Sequence, residues 1–147
     1  MKQVTRSALV SFSAEQMYDL INDVEQYPHF LPGCSGSRVL ESSSEKMVAS
    51  VDVSKAGISK TFTTRNDLVP GAAVLMSLVD GPFKVLTGGW YFTPLDDMAC
   101  KVELKLEFEF ASKLVEMAFG KVFNELTSNM VSAFTQRAKQ VYECYEY

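Results

Sequence analysis

Apolar and charged side chains alternate with a two-residue period between residues 99 and 110. This alternation predicts a β-strand with one buried face and one solvated face. The apolar positions are Val102, Leu104, Leu106, Phe108 and Phe110, and the charged positions are Lys101, Glu103, Lys105, Glu107 and Glu109.

Shorter runs of strand-like sequence precede this segment and are separated by turn sequences such as Pro70-Gly71 and Gly81-Pro82. Turns this short join neighbouring strands as hairpins, so the strands are predicted to form an antiparallel meander. The predicted strands are residues 3–11, 35–42, 46–54, 58–69, 73–79, 84–94 and 99–110.

Two segments instead show the period of an α-helix. In the first, Ser13 and Gln16 form a capping box, and apolar residues recur at helical spacing to residue 26. Pro28 disfavours continuation of this helix but can itself begin a short helical turn. The second helix is predicted from Ser112 to about residue 142, with an apolar stripe made of Phe119, Val122, Phe123, Leu126, Met130, Phe134, Ala138 and Val141.

The order of elements predicts an α+β fold in which an antiparallel sheet of six or seven strands wraps around a long C-terminal helix. The apolar face of the sheet and the apolar stripe of the helix must bury each other. The length of 147 residues fits one domain spanning residues 1–147.

Composition narrows the class of function. The formal net charge is -4 and the pI is about 5.0, so a globally basic DNA-binding protein is not expected. No apolar run reaches the roughly 20 residues needed to cross a bilayer. Cys34, Cys100 and Cys144 are far apart, and an odd number without C-x-x-C spacing fits a reducing cytoplasm.

The stretch YPHFLPGC, residues 27–34, contains the only histidine of the chain and one of its cysteines. A catalytic Cys–His pair or half of a metal site would use His29 and Cys34, but further partners are absent from the neighbouring sequence. We therefore predict a proline-bounded turn that exposes His29 and directs Phe30 and Leu31 inward.

The carboxylates give no clearer sign of catalysis. Glu103, Glu107 and Glu109 share the solvated face of one strand, and Asp52 lies opposite Val51 and Val53 in the alternation. General acid–base catalysis needs a pair of groups in a pocket with separated pKa values. We predict no catalytic residue, no metal and no enzymatic activity.

The aromatic and methionine residues allow two interpretations. Strand alternation places many of them on the concave face of the sheet, where they could fill a core or line an apolar ligand pocket. The pattern alone favours a filled core. Gly88, Gly89 and Gly120 indicate either close packing or room left for a ligand. The concave residues are Phe62, Met76, Leu78, Trp90, Phe92, Leu106, Phe108 and Phe110, and the helix adds Phe123, Met130 and Phe134.

Residues 54–66, SKAGISKTFTTRN, carry Lys55, Lys60 and Arg65 and no acidic residue. This stretch is either a solvated hairpin or a contact for phosphate in a lipid headgroup or an RNA backbone. Alternation places Arg65 opposite Phe62, and none of the three basic residues is expected to face a pocket.

Four stretches together resemble the bacterial ribosome association toxins: YPHFLPGC, DVSKAGISKTFTTRN, DGPFKVLTGGWYFTPL and ACKVELKLEFEF. That family is similar to coenzyme Q-binding proteins and, more remotely, to START-like polyketide cyclases and lipid transport proteins. The resemblance implies a helix-grip (START-like) fold with a cavity between sheet and long helix, and YPHFLPGC near the mouth of that cavity. The implied ligand-binding residues are Phe30, Phe62, Met76, Trp90, Phe92, Phe108, Phe123, Met130 and Phe134.

The resemblance implies two different functions. One is binding of ubiquinone or another isoprenoid lipid in support of respiration, with transient membrane contact. The other is inhibition of translation by binding the large ribosomal subunit and blocking subunit joining. Lys55, Lys60 and Arg65 are the expected phosphate contacts for the second function.

Overall fold

The computed structural model describes residues 1–55 and 57–143. Seven strands and two α-helices follow one another in an order that matches the sequence prediction. They are β1 (Lys2–Val10), α1 (Ala14–Asn22), a 3-10 helix (Val24–His29), β2 (Cys34–Ser42), β3 (Lys46–Lys55), β4 (Ile58–Val69), β5 (Ala73–Asp80), β6 (Phe83–Asp96), β7 (Ala99–Phe110) and α2 (Lys113–Tyr142).

The strands form one antiparallel sheet in the order β1-β7-β6-β5-β4-β3-β2. Strand β1 therefore pairs with β7, and the other strands form the predicted meander. In β7 the buried positions are Cys100, Val102, Leu104, Leu106, Phe108 and Phe110, so the predicted alternation is confirmed. The α+β prediction of a sheet wrapped around a long C-terminal helix is also confirmed.

The start of α1 follows the prediction, but its end does not. The Gln16 amide donates to Ser13 Oγ at 3.1 Å, and the Ser13 amide donates to Gln16 Oε1 at 2.9 Å. The helix ends at Asn22, and the segment predicted to continue to residue 26 becomes the 3-10 helix. Tyr27 donates its hydroxyl to the Ile21 carbonyl, and Ser37 Oγ donates to the Val24 carbonyl at 2.6 Å, which fixes this 3-10 helix against α1 and β2.

Helix α2 begins after Ser112, whose Oγ accepts a hydrogen bond from the Val115 amide at 3.1 Å. Its buried residues are Phe119, Gly120, Val122, Phe123, Leu126, Thr127, Val131, Phe134 and Ala138. The predicted stripe faces the core throughout, with Met130 and Val141 only half-buried, but it omitted the buried Thr127 and Val131. Within the described residues, no helix combines the length and apolar character needed to cross a membrane.

Gly88 and Gly89 allow β6 to pass close to its neighbours. Gly88 has φ +142°, and a Cβ there would lie 2.0 Å from the Lys105 carbonyl oxygen in β7. A Cβ on Gly89 would lie 2.6 Å from the Val74 carbonyl oxygen in β5. These glycines are therefore required by backbone packing within the sheet.

Candidate functional site: an interior cavity and a basic hairpin

A small apolar cavity of about 40 Å³ lies between the sheet and the middle of α2. This volume holds a water molecule but is far below the roughly 300–1,000 Å³ of pockets that enclose drug-sized ligands. The cavity is lined by Phe62, Thr64, Met76, Leu86, Leu104, Leu106, Phe123, Leu126, Thr127 and Met130.

Two threonines provide the polar side chains of the lining. Thr64 Oγ1 donates to Asn66 Oδ1 at 2.8 Å, and Thr127 Oγ1 donates to the Phe123 carbonyl at 3.1 Å. Thr64, Asn66 and Thr127 are all buried. Because both hydroxyl protons are already bonded within the protein, the cavity presents a largely apolar surface.

Four predicted ligand-binding residues lie together at the cavity: Phe62, Met76, Phe123 and Met130. Phe62, Met76 and Met130 are half-buried, whereas Phe123 is buried. Methionine side chains are flexible and unbranched, so Met76 and Met130 are the parts of the lining most able to move.

The other five predicted ligand-binding residues do not line the cavity but pack against neighbouring aromatic rings. Phe134 lies 5.1 Å from Phe30 and 5.3 Å from Trp90, between ring centroids. Phe108 lies 4.9 Å from Phe123, and Phe92 lies 6.0 Å from Tyr18. These contacts place Phe30, Trp90, Phe92, Phe108 and Phe134 in packed core, and their role in ligand binding stays a prediction.

The sequence prediction missed several lining residues that its own patterns contained. Thr64 lies two residues after Phe62 on the same strand face, and Thr127 lies one helical turn after Phe123. The predicted ligand-binding set contains only aromatic and methionine residues, although Leu106 was correctly placed on the concave face. The lining residues absent from that set are Thr64, Leu86, Leu104, Leu106, Leu126 and Thr127.

The turn that contains YPHFLPGC lies beside the cavity without lining it. His29 is exposed and Leu31 is buried, as predicted, while Phe30 is half-buried beneath the Arg137 guanidinium at 5.1 Å. Leu126 Cδ1, which belongs to a lining residue, lies 3.9 Å from where a Cβ on Gly33 would be. The turn is therefore separated from the cavity by a single side-chain layer.

The thiol of Cys34 is not activated as a nucleophile. Its Sγ donates to the Gly36 carbonyl at 3.4 Å, and burial raises the pKa of the thiol to about 11. A thiol with this pKa carries almost no thiolate at neutral pH. Among residues 1–55 and 57–143, there is no group of three or more His, Cys, Asp or Glu side chains that could hold a metal ion. Cys144 lies outside the described residues.

The carboxylates considered for catalysis lie on the outer face of the sheet. Asp52 pairs with Arg38 at 3.1 Å and accepts a hydrogen bond from Thr61 Oγ1 at 2.6 Å. Glu103 lies 3.8 Å from Lys101 and 4.0 Å from Lys105. These groups form surface ion pairs outside the cavity.

The three basic residues of the predicted phosphate contact do not form one surface. Lys55 forms an ion pair with Glu125 of α2. Lys60 is exposed near the end of the β3–β4 hairpin, and Arg65 is exposed on the opposite face of β4. None of the three lines the cavity. Lys60 nevertheless shares the sheet face of Phe62, because both occupy even positions of β4, and Lys55 reaches Glu125 on α2.

Comparisons with known proteins agree with this architecture. The sequence model for the polyketide cyclase / dehydrase and lipid transport family matches residues 10–135. The ribosome association toxin RatA of Vibrio cholerae serotype O1 is 78% identical over 142 residues, which cover 97% of this chain and 99% of that protein. The mitochondrial coenzyme Q-binding protein COQ10 homolog B of Xenopus laevis is 30% identical over 144 residues, covering 95% of this chain and 59% of that protein.

Two solved structures share the fold. The Zhui aromatase/cyclase of Streptomyces sp. R1128 superposes with a TM-score of 0.85 at 18% identity, covering 99% of both chains. A START superfamily protein of Mycobacterium smegmatis gives a TM-score of 0.78 at 21% identity, covering 95% of this chain and 98% of the other. The START-like helix-grip prediction is thus confirmed, and the chain belongs to the ribosome association toxin RatA family, within the larger polyketide cyclase / dehydrase and lipid transport family.

Proposed function

We propose that this protein binds the large ribosomal subunit and blocks subunit joining, acting as a toxin of translation. The observation that carries the proposal is the 78% identity, over nearly the whole chain, to a protein named for ribosome association. The small interior cavity supports it as well, because a cavity of about 40 Å³ leaves the outer surface as the main candidate for the active part of the molecule.

Lys60 is the best-placed phosphate contact of the three predicted residues. It is exposed near the tip of the β3–β4 hairpin, whereas Lys55 is neutralised by Glu125 and Arg65 lies on the other face. RNA binding gains much of its affinity when lysine and arginine side chains displace counterions from phosphates. We therefore assign the RNA contact to the hairpin tip.

Co-sedimentation of the protein with purified large subunits tests this proposal. Lys60→Glu should reduce co-sedimentation, and wild-type binding should weaken as salt rises. Lys46→Glu is the matched control, because Lys46 is exposed at the opposite end of the same hairpin and pairs with Asp67 in the β3–β4 register. Equal losses for the two variants would remove the hairpin tip from the interface, and absence of wild-type binding would overturn the ribosomal function.

We propose further that the protein acts by binding, without catalysing a reaction, and that it does so in the cytoplasm, where ribosomes are found. The high pKa of Cys34 and the exposed position of His29 support this view. The cyclases among the structural relatives are less than 25% identical, so they bear on the fold and not on activity. Full inhibition of subunit joining by a His29→Ala, Cys34→Ala variant would agree with the proposal.

A second candidate function is binding of an isoprenoid such as ubiquinone in an expanded form of the cavity. It is favoured by the apolar lining with half-buried Met76 and Met130, and by the 30% identical relative named for coenzyme Q binding. The cavity would have to grow from about 40 Å³ to several hundred, through movement of these methionines. A role in respiration is proposed only together with this binding.

Native mass spectrometry of the purified protein and titration with a short-chain ubiquinone test the second function. Met130→Phe should reduce ubiquinone binding, because the larger side chain would fill the cavity. Met117→Phe is the matched control, because Met117 lies on the exposed side of the same helix. Equal binding by both variants would place the ligand elsewhere, and no binding by the wild type would remove this function.

A further inference from the structure

The first turns of α2 expose two large apolar side chains to water. Met117 is 81% exposed and Leu114 is 78% exposed, the highest values among the large apolar residues that the structure describes. Residues three apart in a helix lie on one face, so Leu114 and Met117 form a single apolar surface. Lys121, four residues after Met117, continues that face.

Four lysines lie on or beside the first turns of the same helix. We call the two exposed apolar residues and these lysines the α2 tip patch: Leu114, Met117, Lys113, Lys121, Lys2 and Lys84. Lys2, Lys84 and Lys113 border a groove of about 270 Å³ at the start of the helix. Glu116 pairs with Lys2 at 2.8 Å, and Glu109 lies 3.8 Å from Lys84. Lys113 and Lys121 form no ion pair with a described residue, but their charges help to lower the pKa of the Glu116 and Glu125 carboxyls. The four lysines outnumber the neighbouring Glu109, Glu116 and Glu125, so the patch keeps a small excess of positive charge although the whole protein is acidic.

A second exposed apolar group has the opposite electrostatic surroundings. Leu95 and Met98 are 56% and 68% exposed at the β6–β7 hairpin, beside Asp96 and Asp97. This hairpin precedes β7, whereas α2 follows it, so the two groups are separated by roughly 35 Å of strand. The β6–β7 hairpin thus exposes large apolar side chains next to acidic residues instead of lysines.

We infer that the α2 tip patch docks on the surface of a bilayer that contains anionic phospholipid. Leu114 and Met117 would enter the boundary between headgroups and acyl chains, and the lysines would face the phosphates. An RNA surface would neutralise the lysines but leave two large apolar side chains in water. A lipid surface satisfies both parts of the patch, which is why it is the favoured partner.

Co-flotation with vesicles tests this inference on the full-length protein. Wild-type protein should float with vesicles made of equal parts phosphatidylglycerol and phosphatidylcholine, and far less with phosphatidylcholine alone. Leu114→Ser with Met117→Ser should reduce the partition coefficient by about tenfold or more. Lys113→Gln and Lys121→Gln should each reduce it by about fivefold.

The matched control is Leu95→Ser with Met98→Ser, which removes the same two types of exposed apolar side chain from acidic surroundings and should leave flotation unchanged. Thermal unfolding checks that both double variants remain folded. No flotation of the wild type, or equal losses for the two double variants, would overturn the inference.

Ribosome co-sedimentation of the same proteins separates this inference from the proposed function. If the α2 tip patch binds membrane and not the ribosome, the Leu114→Ser, Met117→Ser variant should co-sediment with the large subunit as the wild type does. Loss of co-sedimentation with unchanged flotation would instead assign the patch to the ribosomal interface and overturn the membrane assignment.

Discussion

Lys55, the last residue of β3, forms an ion pair with Glu125 in the middle of α2. The pair therefore connects the β3–β4 hairpin to α2. It also neutralises one of the basic residues that the sequence assigns to a phosphate contact. The tip of the hairpin therefore offers Lys60, and not Lys55, as a lysine that forms no ion pair with a described residue.

The first prediction compares the two lysines directly. Lys60→Gln should weaken binding to the large ribosomal subunit. It should also make the slope of log affinity against log salt concentration shallower by about one, as expected for one lost phosphate contact. Lys55→Gln should change both quantities much less, because its charge is already paired. Co-sedimentation across a range of salt concentrations measures both effects. A larger loss for Lys55→Gln would mean that the Lys55–Glu125 pair opens on the ribosome.

The second prediction concerns the pH dependence of the same ion pair. Hydrogen bonding and charge attraction from Lys55 lower the pKa of Glu125 below its ordinary value of 4.5. A carboxyl whose folded-state pKa is lowered stabilises the fold above its unfolded pKa, and this contribution is lost as pH falls through the lowered value. The free energies of unfolding of wild type and Glu125→Gln should therefore differ at neutral pH, approach each other as pH falls below about 4.5, and converge below the lowered pKa of Glu125. Urea denaturation at several pH values measures the difference, which is small because the pair is exposed.

The third prediction concerns Cys34. Burial raises the pKa of its thiol from 9.0 to about 11, so the unfolded chain loses this proton at lower pH than the folded protein. The contribution of Cys34 to stability is complete below pH 9 and should be lost as pH rises through 11. Cys34→Ala should show a shallower alkaline loss of stability than wild type. In native protein at neutral pH, a thiol reagent should modify Cys34 slowly, and urea should restore the reaction.

Rapid labelling of Cys34 in the native protein would contradict this account. It would also reopen the nucleophilic interpretation of the YPHFLPGC turn, since reactivity requires an accessible thiolate. Labelling should be followed by mass spectrometry of peptides, so that Cys34, Cys100 and Cys144 are distinguished.

The fold could be predicted closely because its signals are local. Alternation in residues 99–110 and the capping residues Ser13 and Ser112 each depend on a few neighbouring positions. The end of α1 could not be placed, because Val24 continues the helical spacing of apolar residues although it belongs to the 3-10 helix. Apolar periodicity does not distinguish an α-helix from a 3-10 helix that buries the same side.

The candidate site was less predictable because it depends on contacts between distant segments. Glu125 is 70 residues from Lys55, so no local pattern indicates their ion pair. Whether Trp90 lines a cavity or fills a core depends on how its ring meets Phe134 of α2, and strand alternation gives only the face. The face of Lys60, by contrast, could have been read from its even spacing from Phe62.

The fourth prediction follows from the position of Trp90. Trp90 is 2% exposed and packs edge-to-face on Phe134 with 5.3 Å between ring centroids. Trp90→Ala should lower the free energy of unfolding by about 3–5 kcal/mol. A loss of ligand or ribosome binding in this variant could not be separated from its lower stability, so Met130→Phe is the sharper test of the cavity. Urea denaturation followed by far-ultraviolet circular dichroism measures the loss, and a change below about 1 kcal/mol would show that the core around Phe134 collapses to fill the space.

The last prediction concerns Gly120, which lies inside α2 over the ring of Phe110. A glycine within a helix costs about 1 kcal/mol relative to alanine. A Cβ at this position would lie 3.6 Å from Glu116 Cγ and 3.7 Å from Phe110 Cε2, which are ordinary contact distances. Gly120→Ala should therefore raise the melting temperature by about 2–4 °C. Gly88→Ala is the contrasting variant and should destabilise the protein, because its Cβ would lie 2.0 Å from the Lys105 carbonyl oxygen.

Binding measurements on Gly120→Ala decide between the two roles that the sequence allows for this glycine. If the variant is more stable and binds short-chain ubiquinone as the wild type does, the glycine is not needed to leave room for a ligand. If it is more stable but loses quinone binding, the helix must move toward or along Phe110 when the cavity expands, and the added methyl group blocks that movement. A loss of stability would contradict the packing argument, since the Phe110 ring would then be unable to accept a methyl group at van der Waals distance.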